Sequence, residues 1–457
     1  MLKYAVTQPL YSTSITFIPT IFSTVTILRS PEYSPPAMNF LPCPCTFPKY
    51  PSKTQNPKNY QEDYSLSYTQ KNNNNSISSQ PSLPSVESLT SHSQPPSITA
   101  NHHYITTFKS HTSPIFTLAL TNKHLISASS DGQIRIWPLN VTNTSSQYLQ
   151  PPVATTKTAV KSMVVSGDRV FTGHQDCKIR VWKLEEKLEE KQKRMKLLAV
   201  LPTFSDRVVK MVFAKNYVKV RRHRMSTWVN HVDAVSALAV SKDGGLVYSG
   251  SWDRTFKVWR TLDFKCLESV WNAHDDAINA IVVSHDCVYT GSADRKIKVW
   301  RRDTNDKKHK LVDTLEKHKS AVNALAISTD GSVLYSGACD RSIIVWEKRS
   351  GDGGDGRHMV VAGALRGHNK AILCLKVVDD VVFSGSADKT IRVWRRGIDG
   401  KKYWCLGVLE GHKGPIKCLA VAVESCTSGS GGGTCYLVYG GSLDCEIKMW
   451  KLWVPFL

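Results

Sequence analysis

The sequence predicts an all-β fold, a seven-bladed β-propeller preceded by a low-complexity tail. Two observations predict the blades: an Asp followed six residues later by a Trp recurs seven times, and the neighbouring residues alternate between apolar and polar side chains as in strands. Successive Asp residues of this pattern lie 45, 77, 41, 46, 48 and 56 positions apart, mostly near the length of a four-stranded propeller blade. The pairs are Asp131 with Trp137, Asp176 with Trp182, Asp253 with Trp259, Asp294 with Trp300, Asp340 with Trp346, Asp388 with Trp394, and Asp444 with Trp450.

Residues 1–100 form a tail rich in Ser, Pro, Thr and Asn. Such a composition buries too little apolar surface to offset the entropy of ordering, so we predict a mostly disordered tail and a propeller over residues 101–457. Residues 4–28 carry no charge, which fits either a targeting segment or an extension upstream of a natural start at Met38, and we favour the second interpretation. Pro and hydroxyl residues make this stretch too polar for a transmembrane helix, and no membrane association is expected.

Most repeats also place a His before their first strand and a Ser or Thr in the strand before the Asp. These units resemble the WD40 family over about residues 103–450. The resemblance implies a hydrogen-bonded set in each blade, which makes chemical sense because a buried carboxylate needs donors. Thr156 stands in the His place of the second repeat, and Gly440 in the Ser place of the last. The implied sets are His111, Ser127, Asp131 and Trp137; His231, Ser249, Asp253 and Trp259; His274, Thr290, Asp294 and Trp300; His318, Ser336, Asp340 and Trp346; His368, Ser384, Asp388 and Trp394; and His412, Asp444 and Trp450.

A His beside an Asp and a Ser also suggests a hydrolase triad. Seven near-copies, each with a Trp, are better explained as structural locks, because a nucleophile needs one special site. The sequence shows no glycine-rich phosphate loop, and the closest cysteine pair, Cys43 and Cys45, has poor spacing for zinc. We therefore predict no enzymatic activity, no metal and no cofactor. The 12 cysteines are scattered, as expected of free thiols in a reducing compartment.

The ring needs a closing strand, because only seven residues follow Trp450. The segment Tyr104–Phe108 precedes the first His, where an outer strand belongs. We predict that this segment completes the seventh blade and so removes an exposed sheet break.

A basic insert interrupts the repeats between Trp182 and His231, which are 49 residues apart, whereas the other Trp-to-His gaps run from 15 to 22. Residues 184–196 read as a charged connector, helical or flexible, and 197–203 as the outer strand of the second blade. The insert then spans about 204–228, and the alternation at 217–221 predicts a short strand or hairpin. We expect it to emerge on the side of the ring that carries the His and Asp loops. Its basic residues are Arg207, Lys210, Lys215, Lys219, Arg221, Arg222 and Arg224, against the single acid Asp206.

Several short segments in and after the insert are similar to the plant JINGUBANG-type WD40 proteins. This resemblance implies a plant regulator without enzymatic activity that restrains pollen germination, or a related developmental process, by binding partners such as transcription regulators in the cytoplasm and nucleus. It covers the propeller and not the tail. The segments are 201–203 (LPT), 221–223 (RRH), 226–229 (STWV), 231–236 (HVDAVS), 251–254 (SWDR) and 266–269 (CLES).

The loops beside the His and Asp positions form the candidate contact surface. Trp252 precedes Asp253 where the other repeats hold smaller or polar residues, and Trp and Arg dominate interface hot spots. The alternative is that Trp252 merely packs under the insert. Residues after each His are acidic in the third and fourth blades and basic in the next three. The predicted partner-binding residues are Trp252, Lys219, Arg221, Arg222, Arg224, Asp233, Asp275, Asp276, Lys319, Lys370 and Lys413.

The leading prediction is thus a monomeric scaffold that holds regulatory proteins. The net charge of +21 and the basic insert favour an anionic partner, so nucleic acid is an alternative, weakened by the few aromatic residues available for base stacking. A ubiquitin-ligase substrate receptor is a further alternative. Adaptor-binding propellers of that kind place an Asp and a basic residue after the repeat Trp, whereas Arg260, Arg395 and Lys451 stand there in three repeats.

Overall fold

The computed structural model shows a seven-bladed β-propeller, which confirms the predicted fold class. The first strands of the blades contact one another in a closed cycle around the central channel. Each blade is a four-stranded antiparallel sheet, as expected of alternating segments joined by short turns. The structure describes residues 86–90, 100–139, 151–186, 193–211, 217–221, 224–284, 287–303, 305–348, 358–397, 399–424 and 432–456.

The chain enters the ring through an outer strand and then builds the blades in sequence order. The elements up to blade 3 are β1 (Asn101–Phe108); blade 1, β2 (Ile115–Leu120), β3 (His124–Ser129), β4 (Gln133–Pro138) and β5 (Ala154–Thr155); blade 2, β6 (Val160–Ser166), β7 (Arg169–His174), β8 (Ile179–Glu186) and β9 (Lys193–Leu201); the insert, α1 (Phe204–Met211), β10 (Tyr217–Arg221) and β11 (Arg224–Thr227); and blade 3, β12 (Val235–Val240), β13 (Leu246–Ser251), β14 (Phe256–Arg260) and β15 (Cys266–Val270).

The remaining blades repeat this plan, with their strands running outward from the channel in chain order. They are blade 4, β16 (Ile278–Ser284), β17 (Cys287–Ser292), β18 (Ile297–Arg302) and β19 (His309–Leu315); blade 5, β20 (Val322–Ile327), β21 (Val333–Ala338), β22 (Ile343–Lys348) and β23 (Met359–Leu365); blade 6, β24 (Ile372–Val378), β25 (Val381–Ser386), β26 (Ile391–Arg396) and β27 (Tyr403–Leu409); and blade 7, β28 (Ile416–Glu424), β29 (Gly433–Ser442) and β30 (Ile447–Pro455).

The two ends of the propeller meet in blade 7, where β1 pairs with β30 as its outermost strand. Tyr104 lies opposite Trp450, and Phe108 opposite Ile447. The predicted closing strand is therefore confirmed.

Apolar side chains of neighbouring blades pack between the sheets and form the core. Ile126 and Ile136 of blade 1, for example, pack with Val170 and Trp182 of blade 2. Because each sheet is covered on both faces, the middle strands are buried nearly throughout, as in β21.

The region between blades 2 and 3 differs in two respects from the sequence prediction. The described residues of the charged connector, 184–186 and 193–196, belong to β8 and β9, because Glu185 pairs with Arg194 and extends their hairpin. The insert begins with α1, which the sequence did not predict, since eight residues are too short for a clear helical period. Thr203 caps this helix by accepting the Asp206 N–H at 3.1 Å. The predicted hairpin is present as β10 and β11.

The cysteines are mixed in state. Seven described cysteines are free thiols, whereas Cys339 and Cys435 are disulfide-bonded, so the expectation of free thiols holds only in part.

Candidate partner-binding face

One end of the ring carries two kinds of loop in every blade. The loops that connect an outer strand to the next blade hold His residues such as His231, and the turns between the second and third strands hold Asp residues such as Asp253. Antiparallel pairing brings both loops to the same end. We call this end the His–Asp face.

The Asp turn of blade 3 shows how the sequence builds this face. Arg254 takes the left-handed conformation with φ of 68°, so that Ser251 and Thr255 can pair across a tight turn. Asp253 Oδ1 accepts the N–H of Thr255 at 2.9 Å and its hydroxyl at 2.6 Å. The Asp therefore fixes its own turn, while its second oxygen remains available for the neighbouring loop.

In blade 3 the structure brings His, hydroxyl, Asp and Trp together, as the resemblance implied. His231 Nδ1 lies 2.9 Å from Asp253 Oδ2, and His231 Nε2 lies 2.8 Å from Ser249 Oγ. Trp259 Nε1 donates to the same Oγ at 2.9 Å. Because a carboxylate only accepts, Nδ1 carries the proton, and Ser249 donates to Nε2 while accepting from the indole.

Blades 4 to 6 repeat this geometry closely. In each of them the imidazole lies 2.8 or 2.9 Å from the carboxylate and 2.7 or 2.8 Å from the strand hydroxyl, and the indole donates to that hydroxyl at 2.8 or 2.9 Å. The predicted sets of these blades are therefore all assembled. They are His274, Thr290, Asp294 and Trp300 in blade 4; His318, Ser336, Asp340 and Trp346 in blade 5; and His368, Ser384, Asp388 and Trp394 in blade 6.

These carboxylates stay charged. Burial opposes the charge of Asp340, but hydrogen bonding and attraction from His318, together with Ser342, hold its pKa at about 2. The same balance against burial, with the facing His as the main partner, keeps the pKa of Asp253 and of Asp388 well below the usual range. Four equivalent sites whose hydrogen-bonded carboxylates are charged at neutral pH are structural locks, because none offers a distinct nucleophile or base.

Blade 1 keeps the hydroxyl bonds but not the His–Asp bond. His111 Nε2 lies 2.7 Å from Ser127 Oγ, to which Trp137 Nε1 also donates at 2.8 Å. The exposed Asp131 instead accepts from the hydroxyls of Ser129 at 2.6 Å and Thr112 at 3.2 Å. Burial, with a smaller contribution from a nearby Arg, lowers the pKa of His111 to about 4.

Blade 2 takes its imidazole from a strand instead of a loop. Thr156, in the His place, donates to the Gly132 and Thr158 carbonyls, while His174 at the end of β7 lies 2.8 Å from Thr172 Oγ1 through Nε2. Trp182 Nε1 donates to that same hydroxyl at 2.8 Å. Burial, assisted by repulsion from Arg180, lowers the pKa of His174 to about 3.

His174 is a site residue that was not predicted from the sequence. Its signal was a His at a place where the other repeats carry small side chains. Those side chains are Ser129, Ser251, Ser292, Ala338, Ser386 and Ser442.

Blade 7 replaces the hydroxyl by a backbone group. His412 Nδ1 lies 2.8 Å from Asp444 Oδ2, as in blades 3 to 6. Its Nε2 lies 3.1 Å from the carbonyl of Gly440, which stands in the Ser place. The Trp450 ring packs edge-on against this imidazole, with ring centroids 5.7 Å apart.

Trp252 lies on the His–Asp face beside the mouth of the channel, with 37% of its surface exposed. The Lys161 ammonium lies 5.2 Å from the centroid of the Trp252 ring and 4.5 Å from that of Phe116. Lys161 and Phe116 belong to the first strands of blades 2 and 1, which line the channel. Burial and repulsion from Lys417 lower the pKa of Lys161 to about 8. The described contact of the Trp252 ring is thus with Lys161, a residue that lines the channel.

The charged residues predicted for this face divide between two sides of the ring. Asp275 and Asp276 of blade 4 are exposed, and Asp233 of blade 3 is half-buried. Asp233 and Asp276 each accept the N–H of the following residue at 2.7 Å. The predicted charged residues are therefore acidic next to Trp252 and basic across the channel, while Arg254 and Arg295 are also exposed in the Asp turns of blades 3 and 4. The basic side consists of blades 5 to 7, where the side chains of Lys319, Lys370 and Lys413 are exposed.

The helix of the insert lies against the outer wall of the ring. Asp206 Oδ2 accepts the N–H of Cys266 in β15, the outermost strand of blade 3, at 3.2 Å. Lys210 lies 5.2 Å from the ring of Trp228. The described contacts thus place α1 on the wall and Trp252 at the channel. Of the predicted basic contacts, Lys219, Arg221 and Arg224 belong to β10 and β11, but their side chains and all of Arg222 lie outside the described residues.

The model of the WD domain, G-beta repeat matches residues 102–138, 222–260, 264–301, 309–347, 359–395 and 403–451, which together make up more than half of the chain. The chain therefore belongs to the WD40 repeat family, whose propellers commonly act as protein-interaction scaffolds and are generally not enzymes. Blade 2, with its displaced imidazole, falls outside the matched segments.

Among solved structures, the WD40 beta propeller domain of Doa1 is similar, with a TM-score of 0.54 and 21% sequence identity. The match covers 76% of this chain and 96% of that chain, and at this identity it shows the fold alone. No curated protein matches the sequence.

Two further kinds of site are absent from the part of the chain that the structure describes. It contains no helix long and apolar enough to cross a membrane. Within the same residues, no group of three or more His, Cys, Asp or Glu side chains could hold a metal ion.

Proposed function

We propose that this protein is a non-enzymatic scaffold that holds a regulatory protein on its His–Asp face. The observation that carries the proposal is Trp252, an exposed indole held at the channel mouth by Lys161. Partly exposed aromatic rings next to a polar rim are frequent anchors of protein interfaces. The locks behind this face fix its loops, so that a partner meets a preformed surface and loses little loop entropy on binding.

The charges of the face define the partner that we propose. The surface of this partner presents basic groups toward Asp275 and Asp276 and acidic groups toward Lys370 and Lys413, because complementary charges steer and orient association. Because the chain shares short segments such as 251–254 with the JINGUBANG-type WD40 proteins, the proposed partner is a transcription regulator. The proposed role is restraint of a plant developmental process such as pollen germination, carried out by a monomeric propeller in the cytoplasm and nucleus.

The test is quantitative affinity capture of regulatory proteins from plant extract on the immobilised full chain. Trp252→Ala should lower the retention of the bound partner by roughly 30-fold or more, the loss typical of an interface hot spot of about 2 kcal/mol. The double change Lys370→Glu and Lys413→Glu should also weaken binding, and more strongly at low salt.

Matched controls are available on the opposite end of the ring. Lys307 and Lys308 are exposed in the loop between β18 and β19, so Lys307→Glu with Lys308→Glu makes the same charge change away from the face. Equal losses in both charge variants would contradict the proposal. A nuclease-treated arm separates the alternative, because retention that disappears with nuclease and falls steeply with salt would indicate nucleic acid as the ligand.

A further inference from the structure

A short segment of the tail lies on the outer wall of the ring between blades 5 and 6. We call residues Val86–Thr90 the wall segment. Leu89 N donates to the Ala364 carbonyl at 2.9 Å, and Ala364 N donates to the Glu87 carbonyl at 2.8 Å. The segment thereby runs parallel to β23 and uses the free edge of blade 5 as an additional strand would.

The wall segment also connects blade 5 to blade 6. Tyr403, the first residue of β27, donates its N–H to the Leu89 carbonyl at 3.0 Å. At the end of the segment, Arg366 N donates to Thr90 Oγ1 at 2.9 Å, and Arg366 Nη2 donates to the Val86 carbonyl at 2.8 Å. A hydroxyl at the last position therefore receives a backbone N–H, and a guanidinium holds the first position.

Two apolar side chains anchor the segment at a spacing of three residues. Val86 is only 6% exposed and packs with Met359 and Ala364. Leu89 covers Gly363, where a Cβ atom would lie 2.4 Å from Leu89 Cγ, and the three nearest atoms to that Cβ all belong to Leu89. Glycine at position 363 thus creates the space for the leucine, and even an alanine would collide with it.

The equivalent place in blade 6 offers an internal comparison. Gly407 lies opposite Val393 as Gly363 lies opposite Val345, so both occupy the same point of an outer strand. A Cβ at Gly407 would make only ordinary contacts, the nearest at 3.4 Å to the His102 ring. The tight fit is therefore specific to the groove that receives Leu89.

We propose that this groove is a second interaction site, which binds an extended peptide of the pattern Val-x-x-Leu-Thr from a partner protein and which the wall segment occupies as a built-in competitor. The segment is short and held by few hydrogen bonds, each worth only about 1 kcal/mol net, so it is exchangeable. Glu87 and Ser88 between the anchors are exposed. Beside Glu87 and Leu89 lies an open cleft of about 390 Å³, where Arg396 is paired with Glu347. A partner peptide with a larger side chain there gains contacts that the wall segment lacks.

Fluorescence anisotropy with a labelled peptide of residues 85–91 tests the proposal on the full chain. The wild-type groove is occupied from within, so the peptide binds weakly. Leu89→Asp in the protein releases the wall segment and should tighten peptide binding on the order of tenfold, the advantage that a short tether gives an intramolecular ligand. Adding Gly363→Ala should abolish this binding, whereas adding Gly407→Ala, the matched change in blade 6, should leave it intact.

Folding and occupancy are checked by amide hydrogen exchange in the same variants. Leu89→Asp should accelerate exchange at Ala364 and Tyr403, where the contacts of the wall segment lie, with little change in the blade cores. Equal peptide affinity for wild type and Leu89→Asp, or binding that survives Gly363→Ala, would overturn the proposal. So would a wild-type dimer that Gly363→Ala dissolves, since the occupant would then be a second copy. None of these results depends on Trp252, so the two proposals can fail separately.

Discussion

In blade 3 the imidazole of His231 lies between the Asp253 carboxylate and the Ser249 hydroxyl. In blade 1 the imidazole of His111 is hydrogen-bonded to Ser127 but not to Asp131. In blade 2 the ring comes from a different part of the chain, yet it again reaches the strand hydroxyl. In all three blades the indole of the repeat Trp donates to that hydroxyl.

This comparison separates two tasks of the repeat. The imidazole, hydroxyl and indole join the loop or strand end to the middle of the sheet, and this task survives in blades 1 and 2. The carboxylate fixes its own turn and binds neighbouring side chains. Asp131 of blade 1 accepts from hydroxyls such as that of Ser129. Asp176 of blade 2 accepts from the Arg180 guanidinium, whose nitrogens lie 3.1 and 2.7 Å from its two oxygens. The His–Asp bond, which is present in blades 3 to 7, links these two functions but is not required for either.

The largest expected consequence is a loss of stability on mild acidification, to which blades 1 and 2 contribute together with the buried His231 of blade 3, whose pKa burial also lowers. Burial holds the pKa of His111 at about 4 and that of His174 at about 3, below the ordinary value of 6.5. These histidines therefore contribute stability above about pH 6.5, and the contribution falls as the pH drops toward 4, because the unfolded chain binds the protons first. At up to about 1.4 kcal/mol per pH unit for each ring, the loss between pH 6.5 and 4 is on the order of 5 kcal/mol.

Urea unfolding at a series of pH values measures this slope. His111→Gln with His174→Gln lowers stability at neutral pH but should flatten the dependence between pH 6.5 and 4. An unchanged slope would show that the two rings are not the source. The carboxylates that face the loop histidines do not change the slope between pH 6.5 and 4. Asp340 and Asp444, each with a pKa of about 2, lose their contributions to stability only below about pH 4.

The next largest effect compares the carboxylates themselves. The Asp253 side chain is 1% exposed and accepts from His231, from the Val232 N–H, and from both the N–H and the hydroxyl of Thr255. Asp253→Ala therefore leaves four donors without their acceptor. We expect a loss of about 4 kcal/mol in the free energy of unfolding. Asp131→Ala removes an exposed carboxylate bound to hydroxyls and should cost about 1 kcal/mol. Chemical denaturation of both variants at pH 7 measures the two losses in the free energy of unfolding. Similar losses would contradict the conclusion that the carboxylates of blades 1 and 3 have different structural roles.

The sequence predicted the repeated part of this architecture because every blade carries the same pattern at the same spacing. The seven pairs of Asp and Trp located all seven blades, and β1 followed from the strand that blade 7 lacked. His174 could not be assigned by the same argument, because the ring site is defined in space, and a strand residue reaches it although the loop position holds Thr156.

The tail shows a second limit of prediction from sequence. Residues 1–100 were expected to be mostly disordered, yet Val86–Thr90 lie in contact with blades 5 and 6, while residues 1–85 and 91–99 lie outside the described residues. The Ser-rich composition gives no sign of this contact, since its cause lies in residues far along the chain, such as Arg366, 276 positions from Thr90. A missing side chain at Gly363 becomes informative only when the wall segment is placed beside it.

The smallest effect concerns blade 7, where Gly440→Ser restores the hydroxyl of the other repeats. The hydroxyl can bond to His412 and Trp450, a gain of about 1 kcal/mol. The new Cβ, however, would lie 2.8 Å from Ile391 Cδ1 and 3.2 Å from the Trp450 ring, so packing must adjust. We expect these terms to cancel to within about 1 kcal/mol in urea unfolding. The reverse change, Ser249→Gly in blade 3, loses both bonds without relieving any crowding and should cost about 2 kcal/mol. If Gly440→Ser instead stabilised the protein by about 2 kcal/mol, the packing around position 440 would not be adapted to glycine, and the missing hydroxyl would simply weaken blade 7.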